Sequence, residues 1–214
     1  MDQYHYGMWG VVIANALFFL FFALSFLAPR GKFEWRSMGV FTAFIFALFT
    51  EMYGFPLTVF ILTSLLGSKY PALDPFSHKN GHLLLTFLGG GAMLQVFIHL
   101  ISNGLMLLGF VIMGMGWRKI HSSQGGLVTD GIYKWVRHPQ YVGLFLVSVG
   151  LLIQWPTIAT LASWPILMGV YYRLAKREER EMEMRFGENY LSYKKRVPGF
   201  FPFRFQSGAG EVLT

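Results

Sequence analysis

The sequence predicts an all-α fold: an integral membrane helical bundle of about five transmembrane helices, ending in a helical hairpin and a charged amphipathic helix. Three observations lead there. Hydrophobic residues make up 54% of the chain and charged residues 14%, against roughly 45–50% and about 25% in soluble domains, so few side chains remain to solvate a water-facing surface. Charge-poor stretches run past the ~18–20 residues that cross a ~30 Å hydrocarbon core. The cations behind the formal charge of +7 bunch beside these stretches, a pattern that suits orientation and anionic membrane lipid and not a nucleic-acid groove.

The 214 residues suit a single domain. Residues 1–10 contain Asp2 and His5 but no Lys or Arg, so they lack the basic leader of a cleaved signal, and the first span is expected to be retained. The absence of cysteine excludes disulfides, thiolate metal sites and cysteine nucleophiles.

The first span is predicted from Val11 to Leu27, with Asn15 a polar residue inside it, and is closed by Ala28-Pro29-Arg30-Gly31. The second runs from about Met38 to Leu66; Gly54 and Pro56 should loosen or kink its middle, because proline removes a backbone donor. A loop marked by Pro71, Asp74, Pro75 and Asn80 follows. His82 to Trp117 is long for one crossing and short for two. The favoured reading is a partial helix to Leu88, a break at Gly89-Gly90-Gly91 and a third span from about Met93 to Trp117; the alternative is two short spans meeting near Asn103-Gly104. After a polar stretch from Arg118 to Gln140 come two apolar arms, Tyr141 to Ile153 and Ile158 to Leu174, and then a charged helix from Ala175 to Tyr193.

The cations orient this bundle. Of the 18 Lys and Arg residues, sixteen fall in 30–36, 118–137 and 173–204, segments that five spans place on one side; only Lys69 and Lys79 fall opposite. The positive-inside rule then puts the N-terminus outside and the C-terminus in the cytoplasm, with an odd number of crossings.

Chemistry-bearing residues concentrate on that cytoplasmic side. One block is Arg137-His138-Pro139-Gln140-Tyr141-Val142-Gly143, where Pro139 forces His138 out of helical geometry. The other runs from Arg173 through Glu178-Glu179 and Phe186-Gly187-Glu188-Asn189-Tyr190 to Val197-Pro198. In order and spacing these blocks resemble the isoprenylcysteine carboxyl methyltransferase and phospholipid methyltransferase family over roughly Gly104 to Pro202. That resemblance implies variable N-terminal spans in 1–92, a methyltransferase-like core in 93–202 and a loose tail in 203–214. It also implies an S-adenosylmethionine site facing the cytosol, S-adenosylhomocysteine as product, and a lipophilic or lipid-modified acceptor reached sideways from membrane lipid.

The residue types suit such a ligand. Its carboxylate wants donors such as Arg137 or His138, its ribose hydroxyls and ammonium want acceptors such as Glu178 or Glu179, and its adenine wants an aromatic wall such as Tyr141 or Tyr190. By the resemblance, Gly114-Met115-Gly116 also serves the cofactor, and Arg173 holds an acidic acceptor. An amine acceptor would need Glu178 or Glu179 as base instead. Methyl transfer needs no metal, and His78, His82 and His121 show no metal-ligand spacing.

Each signal also has an ordinary reading. Arg137-His138-Pro139 can be a juxtamembrane anchor with a helix-starting proline. Glu178-Glu179 can be a solvated face among Lys176, Arg177, Arg180 and Arg185. Gln95, His99 and Asn103 form a polar stripe of the kind that joins membrane helices; the sharper reading pairs His99 with Glu51 to line the acceptor cavity. Tyr190, Tyr193 and Phe186 can be interfacial anchors. Two other functions compete: an NADPH-dependent sterol-type reductase, which should bring extra cations for a 2′-phosphate, and a non-catalytic scaffold or carrier, which as a carrier should show an internal repeat.

Overall fold

A computed structural model of the chain describes residues 6–29, 31–67, 69, 73–75, 77–123 and 125–202. The expected tail at 203–214 and Pro71 of the expected loop lie outside them. Every regular element among the described residues is helical.

Helix α1, Trp9–Leu27, is apolar throughout and buries Val12, Ala16, Phe19 and Ala23, one stripe at helical spacing. Gly7 and Met8, just before it, donate to the carbonyls of Gly54 and Tyr53 at 3.0 and 2.8 Å. Helix α2, Lys32–Phe49, begins with Glu34 accepting from the Gly31 amide at 3.1 Å. It packs in part against α1 and buries Phe41, Phe44, Ile45 and Leu48.

The second span differs from expectation. It starts earlier, at Lys32, and ends in a π-helical turn, Thr50–Gly54, before a separate helix α3, Leu57–Leu66. The cause is Pro56, which has no amide to continue the ladder. The Glu51 carboxylate takes over at the break, accepting from the Thr58 amide at 2.7 Å and the Thr58 hydroxyl at 2.8 Å. Three stretches are thus long and apolar enough to cross a membrane: Trp9–Leu27, Lys32–Gly54 and Ala92–Ser122.

The region from 82 to 117 resolves into one short helix, α4, Leu83–Phe87, and one long helix, α5, Ala92–Ser122, with no break at Asn103-Gly104. Gly89 and Gly90, at φ +80° and +23°, make the turn between them. Helix α6, Pro139–Gln154, packs antiparallel to α5 more extensively than any other two elements do. Small residues set that approach. An ideal Cβ on Gly109 would lie 2.5 Å from the Gly143 carbonyl, and one on Gly150 would lie 2.7 Å from the Ser102 carbonyl.

Thr157 caps α7, Ile158–Phe186, its hydroxyl accepting from the Thr160 amide at 3.0 Å. The last apolar arm and the charged amphipathic helix, expected as two elements, are this one helix. No glycine or proline separates Leu174 from Ala175, so the backbone ladder runs on until Gly187, at φ +52°, ends it. Helix α8, Glu188–Arg196, folds back, and Tyr190 and Tyr193 cluster with Tyr133 beneath it.

Candidate active site

The site forms where three segments meet: the loop entering α6, the charged half of α7, and the strand-like strap after α8. His138 sits at φ −124°, ψ 61°, outside the helix that Pro139 begins. The strap fixes this turn through its main chain, because the amides of Arg137 and His138 donate to the carbonyls of Pro198 and Gly199 at 2.9 and 3.0 Å. Phe200 then stacks on the His138 ring at 5.2 Å between centroids.

Glu179 is the hub. Its side chain is 1% exposed, yet hydrogen-bond donors meet both oxygens: Arg137 Nη2 at 2.7 Å and His138 Nε2 at 3.1 Å on Oε1, Lys176 Nζ at 3.0 Å and Lys194 Nζ at 3.1 Å on Oε2. Burial alone pushes its carboxyl up, but hydrogen bonds from His138, Lys176 and Lys194 and the charge of Arg137 outweigh this and hold it well below the usual carboxylate range. Arg137 is equally committed, since its Nη1 donates to the carbonyls of Lys194 and Val197 at 2.7 and 2.9 Å. Arg137 and Glu179, both expected as ligand contacts, lock loop, helix and strap together.

Glu178 differs. It is 39% exposed, accepts a hydrogen bond from the Tyr141 hydroxyl, and lies 3.7 Å from His138 Nδ1. A carboxylate only accepts, so His138 places a proton on Nε2 toward Glu179 and turns Nδ1 toward Glu178. Burial pushes the His138 imidazole down from its ordinary value, against the pull of Glu179. Glu178 therefore forms the accessible edge of the site, with the buried Tyr141, His138 and Glu179 behind it as its support.

The other expected residues fall into different places. Gly116 lies under Pro139, whose Cγ would be 3.0 Å from an added Cβ; Gly114 has open space there. Tyr190 is buried in the cluster under α8 with Tyr133 and Tyr193. Burial first, with the charge of Glu179, pushes its hydroxyl up to about 12. Arg173 is exposed and lies about 140° around α7 from Glu178. Glu51 is bound to Thr58 and not paired with His99, whose ring packs edge-on to His82 at 5.3 Å.

Sequence reasoning missed Lys176, Lys194, Gly199 and Phe200 as parts of the site. Lys176 stands three residues before Glu179, an i,i+3 spacing the sequence displays. Nothing local marks the strap.

The family model described as the isoprenylcysteine carboxyl methyltransferase family matches residues 95–184. The protein-S-isoprenylcysteine O-methyltransferase of Xenopus laevis is 45% identical over 82 residues, 36% of this chain and 27% of that protein. The Homo sapiens protein of the same name is 42% identical over 79 residues, covering 36% of this chain and 28% of its own length. Protein-S-isoprenylcysteine O-methyltransferase B of Arabidopsis thaliana is 33% identical over 78 residues, covering 36% and 40%. The chain thus spans between a quarter and a half of the length of these relatives. The resemblance read from the Arg-His-Pro and Glu-Glu blocks falls within the matched region.

Proposed function

We propose that this chain is an S-adenosylmethionine-dependent integral membrane methyltransferase acting on a lipophilic, isoprenylcysteine-like carboxylate. One observation carries the reading: His138 and the Glu178-Glu179 pair, about 40 positions apart in sequence, meet at 3.7 and 3.1 Å within the stretch that matches the family. The names of the relatives supply the acceptor class. The cation clusters support an N-terminus outside and a cytoplasmic C-terminus, which gives the site a cytosolic face.

The side chains suit a sulfonium nucleoside. Glu178 offers an accessible carboxylate for ribose hydroxyls or a positive centre, while Tyr141, His138 and Phe200 supply ring surface beside it. Arg137, Lys176 and Lys194 are engaged by Glu179, which disfavours their use on the 2′-phosphate of a nicotinamide cofactor. When bound, the donor supplies an activated methyl group. The protein's part is to hold Glu178 and His138 in fixed relation through Glu179, close the site with the strap and keep water from the acceptor. Purified chain given radiolabelled methyl donor and N-acetyl-S-farnesylcysteine should produce a base-labile methyl ester. Label appearing only in lipid amines would assign a different acceptor.

A further inference from the structure

Resting on that reading, we propose that Tyr171 is the acceptor-binding residue of the site, its hydroxyl donating to the carboxylate that is methylated.

The position follows from helical geometry. Seven residues turn an α-helix through about 700°, so Tyr171 and Glu178 lie within about 20° of one another on one stripe of α7, separated by about 10 Å along its axis. Ala175, between them on that stripe, is fully buried and small. Arg173, the residue that the sequence resemblance put forward for the acceptor, stands on a different and exposed side of the helix. Tyr171 is toward the apolar end of α7 from Glu178, the end from which a lipid-borne acceptor would approach.

Its environment points to a ligand. Tyr171 is 4% exposed and belongs to the main core with Leu144, Leu167 and Leu174. Its hydroxyl has no hydrogen-bond partner among the described residues. Its ring lies 5.7 Å from that of Tyr141, whose own hydroxyl is held by Glu178. Burying an unsatisfied hydroxyl is costly, and phenylalanine would fill the same volume without that cost. A hydroxyl kept on the Glu178 stripe, one ring from the site, has a use if an anionic oxygen accepts from it.

The chemistry is consistent with that role. One oxygen of the acceptor carboxylate takes the Tyr171 proton in a hydrogen bond and the other forms the new C–O bond as the methyl C–S bond breaks, its electron pair staying on sulfur. No proton has to leave, so a donor and no base is what a carboxylate acceptor requires at this point.

The test is Tyr171→Phe in the full chain in detergent, with three readouts: S-adenosylhomocysteine affinity by calorimetry, thermal stability, and initial rates with N-acetyl-S-farnesylcysteine. The expected result is unchanged nucleoside affinity, equal or higher stability, and an acceptor KM raised roughly tenfold or more. Unchanged acceptor kinetics in a stable variant would overturn the assignment and leave the hydroxyl a feature of core packing. A parent chain that binds the nucleoside but does not methylate the probe would also overturn it. A parent chain that does not bind the nucleoside would overturn the methyltransferase reading itself.

Discussion

Arg137 Nη2 and Glu179 Oε1 lie 2.7 Å apart, with side chains only 9% and 1% exposed, and this pair ties the loop entering α6 to the middle of α7. Removing one partner of a buried pair strands the other's charge. Glu179→Gln leaves Arg137, Lys176 and Lys194 crowded around a neutral group, with an expected cost of about 3–5 kcal/mol. Thermal unfolding in detergent should fall by roughly 10 °C. A variant as stable as the parent would mean that Glu179 is not the hub.

Its neighbour should behave in the opposite way. Glu178 is 39% exposed and accepts a hydrogen bond from the Tyr141 hydroxyl. Glu178→Gln is expected to keep thermal stability within a few degrees of the parent while weakening S-adenosylhomocysteine binding by roughly tenfold to a hundredfold, the worth of a hydrogen bond to a charged group. Calorimetry beside a melting curve separates the two effects.

Acid should loosen the site in two stages. The folded-state pKa of His138 is depressed by burial, and that of Glu179 is depressed because its cationic partners outweigh burial. Both groups bind protons more readily in the unfolded chain, so stability rises with pH. The His138 contribution is lost as pH falls below about 6.5, and that of Glu179 as it falls below about 4.3. Melting temperatures at pH 7.5, 6 and 5 should decline for the parent and decline less for His138→Gln; parallel slopes would remove His138 as the cause.

The α5–α6 crossing gives a purely steric expectation. Gly109→Ala puts a Cβ 2.5 Å from a backbone carbonyl that cannot step aside, whereas Gly114→Ala meets nothing within 4 Å. The first variant should express poorly or unfold at lower temperature, and the second should match the parent in a melting assay. Equal tolerance of both would contradict close packing of these helices.

How far the sequence carried the account depended on the range of the cause. Apolar length and local stops were legible: the helix boundaries near Leu27, the turn at Gly89-Gly90 and Pro139 at the start of α6 all stand in the structure. The grouping of His138 with Glu178 and Glu179 was legible because the family's motif order preserves it. The division of labour inside the pair was not, since adjacent carboxylates look alike until burial separates them. The Glu51–His99 pair rested on residue type and charge, and the structure turned on geometry: the missing Pro56 amide leaves Glu51 to bind Thr58. The strap was invisible because it acts through main-chain carbonyls, which any residue supplies.

The central claim is that the convergence of His138, Tyr141 and Glu178 makes a site for a sulfonium nucleoside. Its most direct measurement is a calorimetric titration of the detergent-purified chain with S-adenosylhomocysteine and, separately, with NADPH. Saturable binding of the first that Glu178→Gln weakens, with no heat from the second, is the expected result; binding of NADPH alone, or of neither, would contradict it.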